Sequence, residues 1–132
     1  MPCRGIRGAI TVESDSATAI LAASRDLLSQ IVAANDVDPA EIASVLFTVT
    51  ADLTAAFPAQ AARELGWHQV PLIDAQEVPV PGSLPRCIRV LIHWNTPKSQ
   101  AEIQHVYLGR AAALRPDLQA PASRGDKTTK ER

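Results

Sequence analysis

The sequence predicts an α+β fold, a sheet of four or five strands with one long helix on one face. Three observations point there. Apolar side chains recur at helical spacing from Ala17 to Val32. Two runs rich in β-branched and aliphatic residues, Ser44 to Thr50 (SVLFTVT) and Cys87 to Trp94 (CIRVLIHW), read as strands. A single long helix covers only one face of such a sheet, so the other face must find a partner, and oligomerisation is the economical answer. With 132 residues, 46% of them hydrophobic, the chain is sized for one domain with a compact core.

Each element has a local reason. Residues 4–12 (RGIRGAITV) read as a first strand, in which Arg4 and Arg7 interrupt the apolar Ile6, Ala9, Ile10 and Val12. Gly5 and Gly8 mark close backbone approach or a bulge. Asp15 or Ser14 is placed to cap the long helix. Its stripe is Ala17, Ile20, Leu21, Ser24, Leu27, Leu28, Ile31 and Val32, with Arg25, Asp26, Ser29 and Gln30 off it, and Asn35 and Asp36 end it. Asp38-Pro39-Ala40-Glu41 is a start signal for a short helix, and Pro58 opens another, Ala59 to Leu65, closed by Gly66. Gln69 to Ile73 reads as a strand, Val78 to Pro85 (VPVPGSLP) as a rigid irregular loop, and Val106 to Leu108 as a last short strand. From Gln119 the chain is polar and aperiodic. Residues 1–118 are therefore expected to form the domain, and 119–132 a flexible tail.

Composition narrows the function. A formal net charge of −1 gives no nucleic-acid footprint. Two cysteines, Cys3 and Cys87, are too few for a disulfide scaffold and suit free thiols. The N-terminus has no signal-peptide core, and no run of about 18 apolar residues appears. A soluble, cytoplasmic protein without a membrane partner is expected. His68, His93 and His105 are dispersed and read as structural, and neither metal-ligand spacing nor a Gly-rich phosphate loop occurs, so no cofactor is expected. All but three of the 13 basic residues are arginine, the lysines being Lys98, Lys127 and Lys130. Arginine grips carboxylates with a two-pronged fork and keeps its charge when desolvated, although a GC-rich genome gives the same bias. Arg89 interrupts the apolar run Ile88 to Ile92, where a charge is costly unless it is paired or used.

Five blocks add a resemblance: RGIRGAITVE at 4–13, AAFPAQAAREL at 55–65, QE at 76–77, CIRV at 87–90, and HVYL with LRPDL between 105 and 118. In order and spacing they resemble the monofunctional chorismate mutases of the trimeric α/β type. The resemblance implies a mixed five-stranded sheet packed on one long helix. It also implies a pseudo-barrel homotrimer with active sites at the subunit clefts, chorismate as substrate and prephenate as product.

That rearrangement breaks a C–O bond as a C–C bond forms, with no covalent enzyme intermediate. The site must hold a compact chair conformer and complement a polarised transition state. The resemblance makes Arg89 the donor to the ether oxygen and Glu77 the acceptor of the ring hydroxyl. Arg7 becomes a carboxylate clamp and Tyr107 a hydroxyl donor to a carboxylate. Arg63 and Arg115 rim the site, where a plain surface charge explains them nearly as well. Phe57 and Leu114 match apolar walls, which core packing explains equally well. Two positions depart from the family's pattern. Asp74 stands where a cysteine is common, and is expected beside Glu77 facing the ring hydroxyl. A second carboxylate there would raise a pKa. Gln60 stands where a lysine is common. Two other readings are a deaminase-like trimer of similar shape and a carboxylate-binding trimer without catalysis.

Overall fold

The computed structural model describes residues 1–113. Leu114, Arg115 and residues 119–132 lie outside the described residues. The elements run β1 (Cys3–Thr11), α1 (Ala17–Asn35), β2 (Ile42–Val49), α2 (Ala59–Glu64), β3 (Leu72–Gln76), β4 (Cys87–Asn95) and β5 (Val106–Leu108). Short 3₁₀ turns lie at Pro39–Glu41, Gln100–Glu102 and Gly109–Ala113. The five strands form one sheet in the order β3-β2-β4-β1-β5. It is mixed: β4 runs antiparallel to both its neighbours, while β1–β5 and β2–β3 pair in parallel.

The stripe of α1 meets the sheet as its spacing requires. Ile20, Leu27, Leu28 and Ile31 are fully buried, packed with Ile6, Val45, Phe47, Ile88 and Ile92. At 19 residues α1 is long and apolar enough to cross a membrane by length and composition, yet its apolar face is taken up by the sheet. The cap differs from expectation. Ser16, not Ser14 or Asp15, caps α1, its Oγ accepting from the Ala19 N–H at 3.1 Å. Asp15 instead accepts from Thr54 N, Thr54 Oγ1 and Ala55 N at 2.9, 2.9 and 3.0 Å. These bonds, led by the Thr54 N–H, hold its carboxyl below the usual range and tie the start of α1 to the loop entering α2.

Gly8 explains how closely helix and sheet approach. A Cβ there would lie 2.8 Å from Ile31 Cδ1 and 3.1 Å from both Leu27 Cδ1 and the Val106 carbonyl. Gly8→Ala is expected to cost about 1–3 kcal/mol by overpacking, read as a lower urea midpoint at an unchanged slope. The irregularity in the sheet falls in β2, where the register shifts between Ile42 and Ser44, and not in β1.

One other expectation is met and one is corrected. The Asp38 signal opens a single 3₁₀ turn, Pro39–Glu41, with Asp38 accepting from the Ala40 N–H at 3.0 Å. The strand expected at 69–73 is β3, Leu72–Gln76. Its pairing starts where the Pro71 carbonyl accepts from the Val45 N–H at 2.9 Å. Because β3 is an edge strand, it accommodates the polar Asp74 and Gln76 beyond the expected end at Ile73.

Candidate active site

The sheet face away from α1 carries Arg7, Arg89 and Glu77. Cross-strand pairing sets one row across it: Tyr107, Ala9, Arg89, Thr48 and Ala75. The next row is Arg7, Leu91, Leu46 and Ile73. Strand alternation points the members of both rows to one side. At the β5 end, Ala9, Cys87 and Tyr107 are buried with Ala111 of the last 3₁₀ turn, and Leu84 of the Pro-rich loop packs on them. Between β1 and β2 the face stays open, as a hollow of about 410 Å³ lined by Arg7, Leu46, Thr48, Arg89, Val90 and Leu91.

Glu77 follows β3 and extends its alternation, so it turns to this same face. Its N–H donates to the Val49 carbonyl at 2.9 Å, which fixes its backbone. Its Oε2 lies 2.9 Å from Arg89 Nε and accepts from Thr48 Oγ1 at 2.7 Å. One carboxylate oxygen thus takes both protein partners, and no hydrogen bond to Oε1 appears among the described residues. The Arg89 Nε–H is buried and charge-paired, but no acceptor lies in line with it among the described residues. The site presents a fixed guanidinium with directional capacity to spare, beside a fixed carboxylate with one oxygen to offer.

Thr48 was missed in the sequence. It sits in a β-branched run that reads only as strand, and its position opposite Arg89 emerges from the β2–β4 register. Arg7 joins the hollow from β1. Its N–H donates to His105 Nδ1 at 2.9 Å, so a neutral His105 carries its proton on Nε2. Tyr107 shares the row with Arg89, two strands away across β1, and is 5% exposed. Burial pushes the Cys87 thiol up to about 11 despite the nearby Arg89, which leaves it protonated and a poor nucleophile.

Phe57, Asp74 and Gln60 lie elsewhere. They line a second hollow of about 450 Å³ on the flank where α2 and the start of α1 meet β3. Arg63 stands on α2, one helical turn beyond Ala59, and is exposed. The expectation that Asp74 stands beside Glu77 is corrected for the single protomer. Asp74 pairs with Phe47 on the helix side of the sheet, whereas Glu77 turns to the opposite side. Its Oδ1 accepts from the Ala59 N–H at 3.1 Å. Its pKa is raised, but burial is the cause, with the Ala59 N–H and the Arg63 charge opposing it. Within the protomer Glu77, on the opposite side of the sheet, is not among the causes. One protomer therefore carries two half-sets: Arg7, Arg89, Glu77 and Tyr107 on the open face, and Phe57, Arg63 and Asp74 on the α2 flank.

Comparison with known proteins bears on this geometry. The profile of the chorismate mutase type I family matches residues 3–118. A chorismate mutase AroH from Thermus thermophilus is 59% identical over 118 residues, 89% of this chain and 97% of the relative. A second, from Bacillus subtilis, is 46% identical over 119 residues, 89% of this chain and 94% of the relative. The solved structure of a chorismate mutase from Clostridium thermocellum superposes with a TM-score of 0.80 at 48% identity, covering 81% of this chain and 96% of that one.

Proposed function

We infer, from the premise that the chain belongs to the chorismate mutase type I family, that the Arg89–Glu77 pair is the charged centre of its active site. The chain is a chorismate mutase, an isomerase that converts chorismate to prephenate in aromatic amino-acid biosynthesis. A deaminase-like or non-catalytic trimer has no support of this kind. The observation that carries the assignment of the centre is the 2.9 Å contact of Arg89 Nε with Glu77 Oε2 in a hollow also lined by Arg7.

The chemistry follows from the charges. As the ether C–O bond breaks, negative charge grows on its oxygen and positive charge on the ring fragment. Arg89, held by a central strand, supplies a cation to the first. Glu77, with one oxygen fixed by Thr48 and Arg89, offers the other to the ring hydroxyl and balances the second. These groups are oriented before substrate arrives, so they need no reorganisation at the transition state. Arg7 and Tyr107 serve the substrate carboxylates and favour the chair conformer in which the reacting carbons meet.

The half-sets call for a second subunit. Phe57 and Ile73 are 66% and 62% exposed, and Val78 and Val80 are exposed as well. These apolar side chains border both half-sets and suit burial between copies. We propose a homotrimer of about 42 kDa, three times 14.1 kDa, in which the α2 flank of one protomer closes over the open sheet face of the next. Phe57 then forms an apolar wall and Arg63 a rim cation. Leu114 and Arg115, outside the described residues, keep the wall and rim roles that the resemblance gives them. Catalysis is assigned to residues 1–118, in the cytoplasm, where two unbridged thiols are stable.

Loss of chorismate absorbance on adding the purified chain tests the activity directly. Thr48→Val tests the centre, because it removes one hydroxyl while keeping the branched shape. It is expected to lower turnover about tenfold with a smaller change in KM, and Thr48→Ser to recover most of the loss. Equal turnover in Thr48→Val and wild type removes Thr48 from the orientation of Glu77.

A further inference from the structure

We propose that His105 is a positioning residue for Arg7: its ring nitrogen completes the β1 edge where β5 stops short and fixes the backbone that carries the carboxylate clamp. This rests on the reading that Arg7 holds a substrate carboxylate. The β1–β5 ladder starts at Gly8, opposite Val106, and runs to Ile10. Gly5 and Arg7 lie before it, on the β1 edge that faces β5. Backbone groups there need partners, and side chains of the segment leading into β5 supply them. Gln100 Oε1 accepts the Gly5 N–H at 3.0 Å, and Gln100 Nε2 donates to the Gly5 carbonyl at 2.7 Å. The Arg7 N–H donates to His105 Nδ1 at 2.9 Å.

The imidazole is supported from behind. Gln104, the residue before it, is held at both backbone groups by the side chain of Asn35. Its N–H donates to Asn35 Oδ1 at 2.8 Å, and its carbonyl accepts from Asn35 Nδ2 at 2.9 Å. Asn35 ends α1, is buried, and ties itself to that helix through Nδ2, which donates to the Ile31 carbonyl at 3.0 Å. The Asn35 carbonyl in turn accepts from Lys98 Nζ at 3.0 Å. The end of α1, Gln104 and the buried His105 thus form one fixed support, whose last bond sets the backbone of Arg7. Arg7 reaches into the open hollow on a long side chain. Such a side chain presents its fork reproducibly only from a fixed base. Arg7 grips a carboxylate in bound substrate and transition state alike, so loosening its base raises KM more than it lowers turnover.

Two variants separate the acceptor from the ring. In His105→Asn the amide oxygen hangs from Cγ as Nδ1 does and keeps the acceptor. In His105→Phe the ring shape stays and the acceptor goes. In the full-length chain, H105F is expected to raise KM about threefold to tenfold, the scale of one hydrogen bond, with turnover within about twofold of wild type. H105N is expected within about twofold of wild type in both. Arg7→Ala is expected to raise KM, and H105F to add little in that background. Gln100→Ala opens the same edge at Gly5 and is expected to leave KM within about twofold of wild type. Hydrogen exchange of the Arg7 amide is expected to quicken in H105F and to return to the wild-type rate in H105N. His105→Gln, whose amide lies farther out than Nδ1, serves if H105F does not fold. An unchanged KM in H105F overturns the positioning role while a raised KM in Arg7→Ala leaves the clamp standing. So does an H105N as impaired as H105F, or a Q100A that raises KM as much. An unchanged KM in Arg7→Ala overturns the clamp and this inference together.

Discussion

Arg89→Ala is expected to lower turnover by at least about 10³-fold, the scale seen when a pre-oriented donor to a developing oxyanion is removed. An acceleration of even ~10⁶ requires about 8 kcal/mol of selective transition-state stabilisation. With no acid–base or covalent step, that stabilisation must be electrostatic and conformational. The ether oxygen carries its negative charge only as the bond breaks, so a cation fixed beside it favours the transition state over bound substrate. The KM is expected to move less than turnover. Arg89→Lys should recover little, because an ammonium cannot span the ether oxygen and a carboxylate together, nor keep the Nε contact with Glu77 at 2.9 Å. Arg7 substitutions should weaken binding more than turnover. Steady-state kinetics of the three variants separate these roles. Near-normal Arg89→Ala turnover with only a raised KM makes Arg89 a substrate clamp and moves the catalytic cation elsewhere.

Recovery of activity from two crippled chains is the second large effect. If each site takes Arg89 from one subunit and Arg63 from its neighbour, Arg89→Ala and Arg63→Ala impair different halves. Refolding them together in equal amounts places both intact halves at about one site in four. At substrate far below KM, the mixture is expected to approach about a quarter of wild-type activity, well above the mean of the two separate variants. Sites built within one protomer give that mean and nothing more.

The sequence was informative where local rules and the fold agree. The α1 stripe needed only a period of 3.6 and appears with its buried face as read. Arg89 was conspicuous because a charge in an apolar run demands a reason, and it lies beside Glu77. Register was invisible. Nothing local says that Thr48 stands opposite Arg89, since this depends on how β2 aligns with β4, including the shift between Ile42 and Ser44. The same gap governs Asp74 within one protomer. The resemblance places it beside Glu77, but an odd separation along an extended strand puts the two side chains on opposite faces of their own protomer. The edge position of β3 shifted its bounds, because the polar Asp74 and Gln76 need no buried partner there and the strand runs past Ile73. Ser16 took the cap because Asp15 was committed to Thr54 and Ala55, a long-range contact that no window around the helix start contains.

A crystal structure of the assembled protein with a bicyclic transition-state analogue tests the charged centre most directly. The analogue's ether oxygen is expected within hydrogen-bonding distance of the Arg89 guanidinium. Its ring hydroxyl should rest on Glu77 Oε1, Oε2 should still be held by Thr48, and Phe57 and Arg63 should enter from a neighbouring subunit. An analogue seated away from the β1–β4–β2 face, or an ether oxygen held by another group while Arg89 contacts only carboxylate, contradicts the assignment.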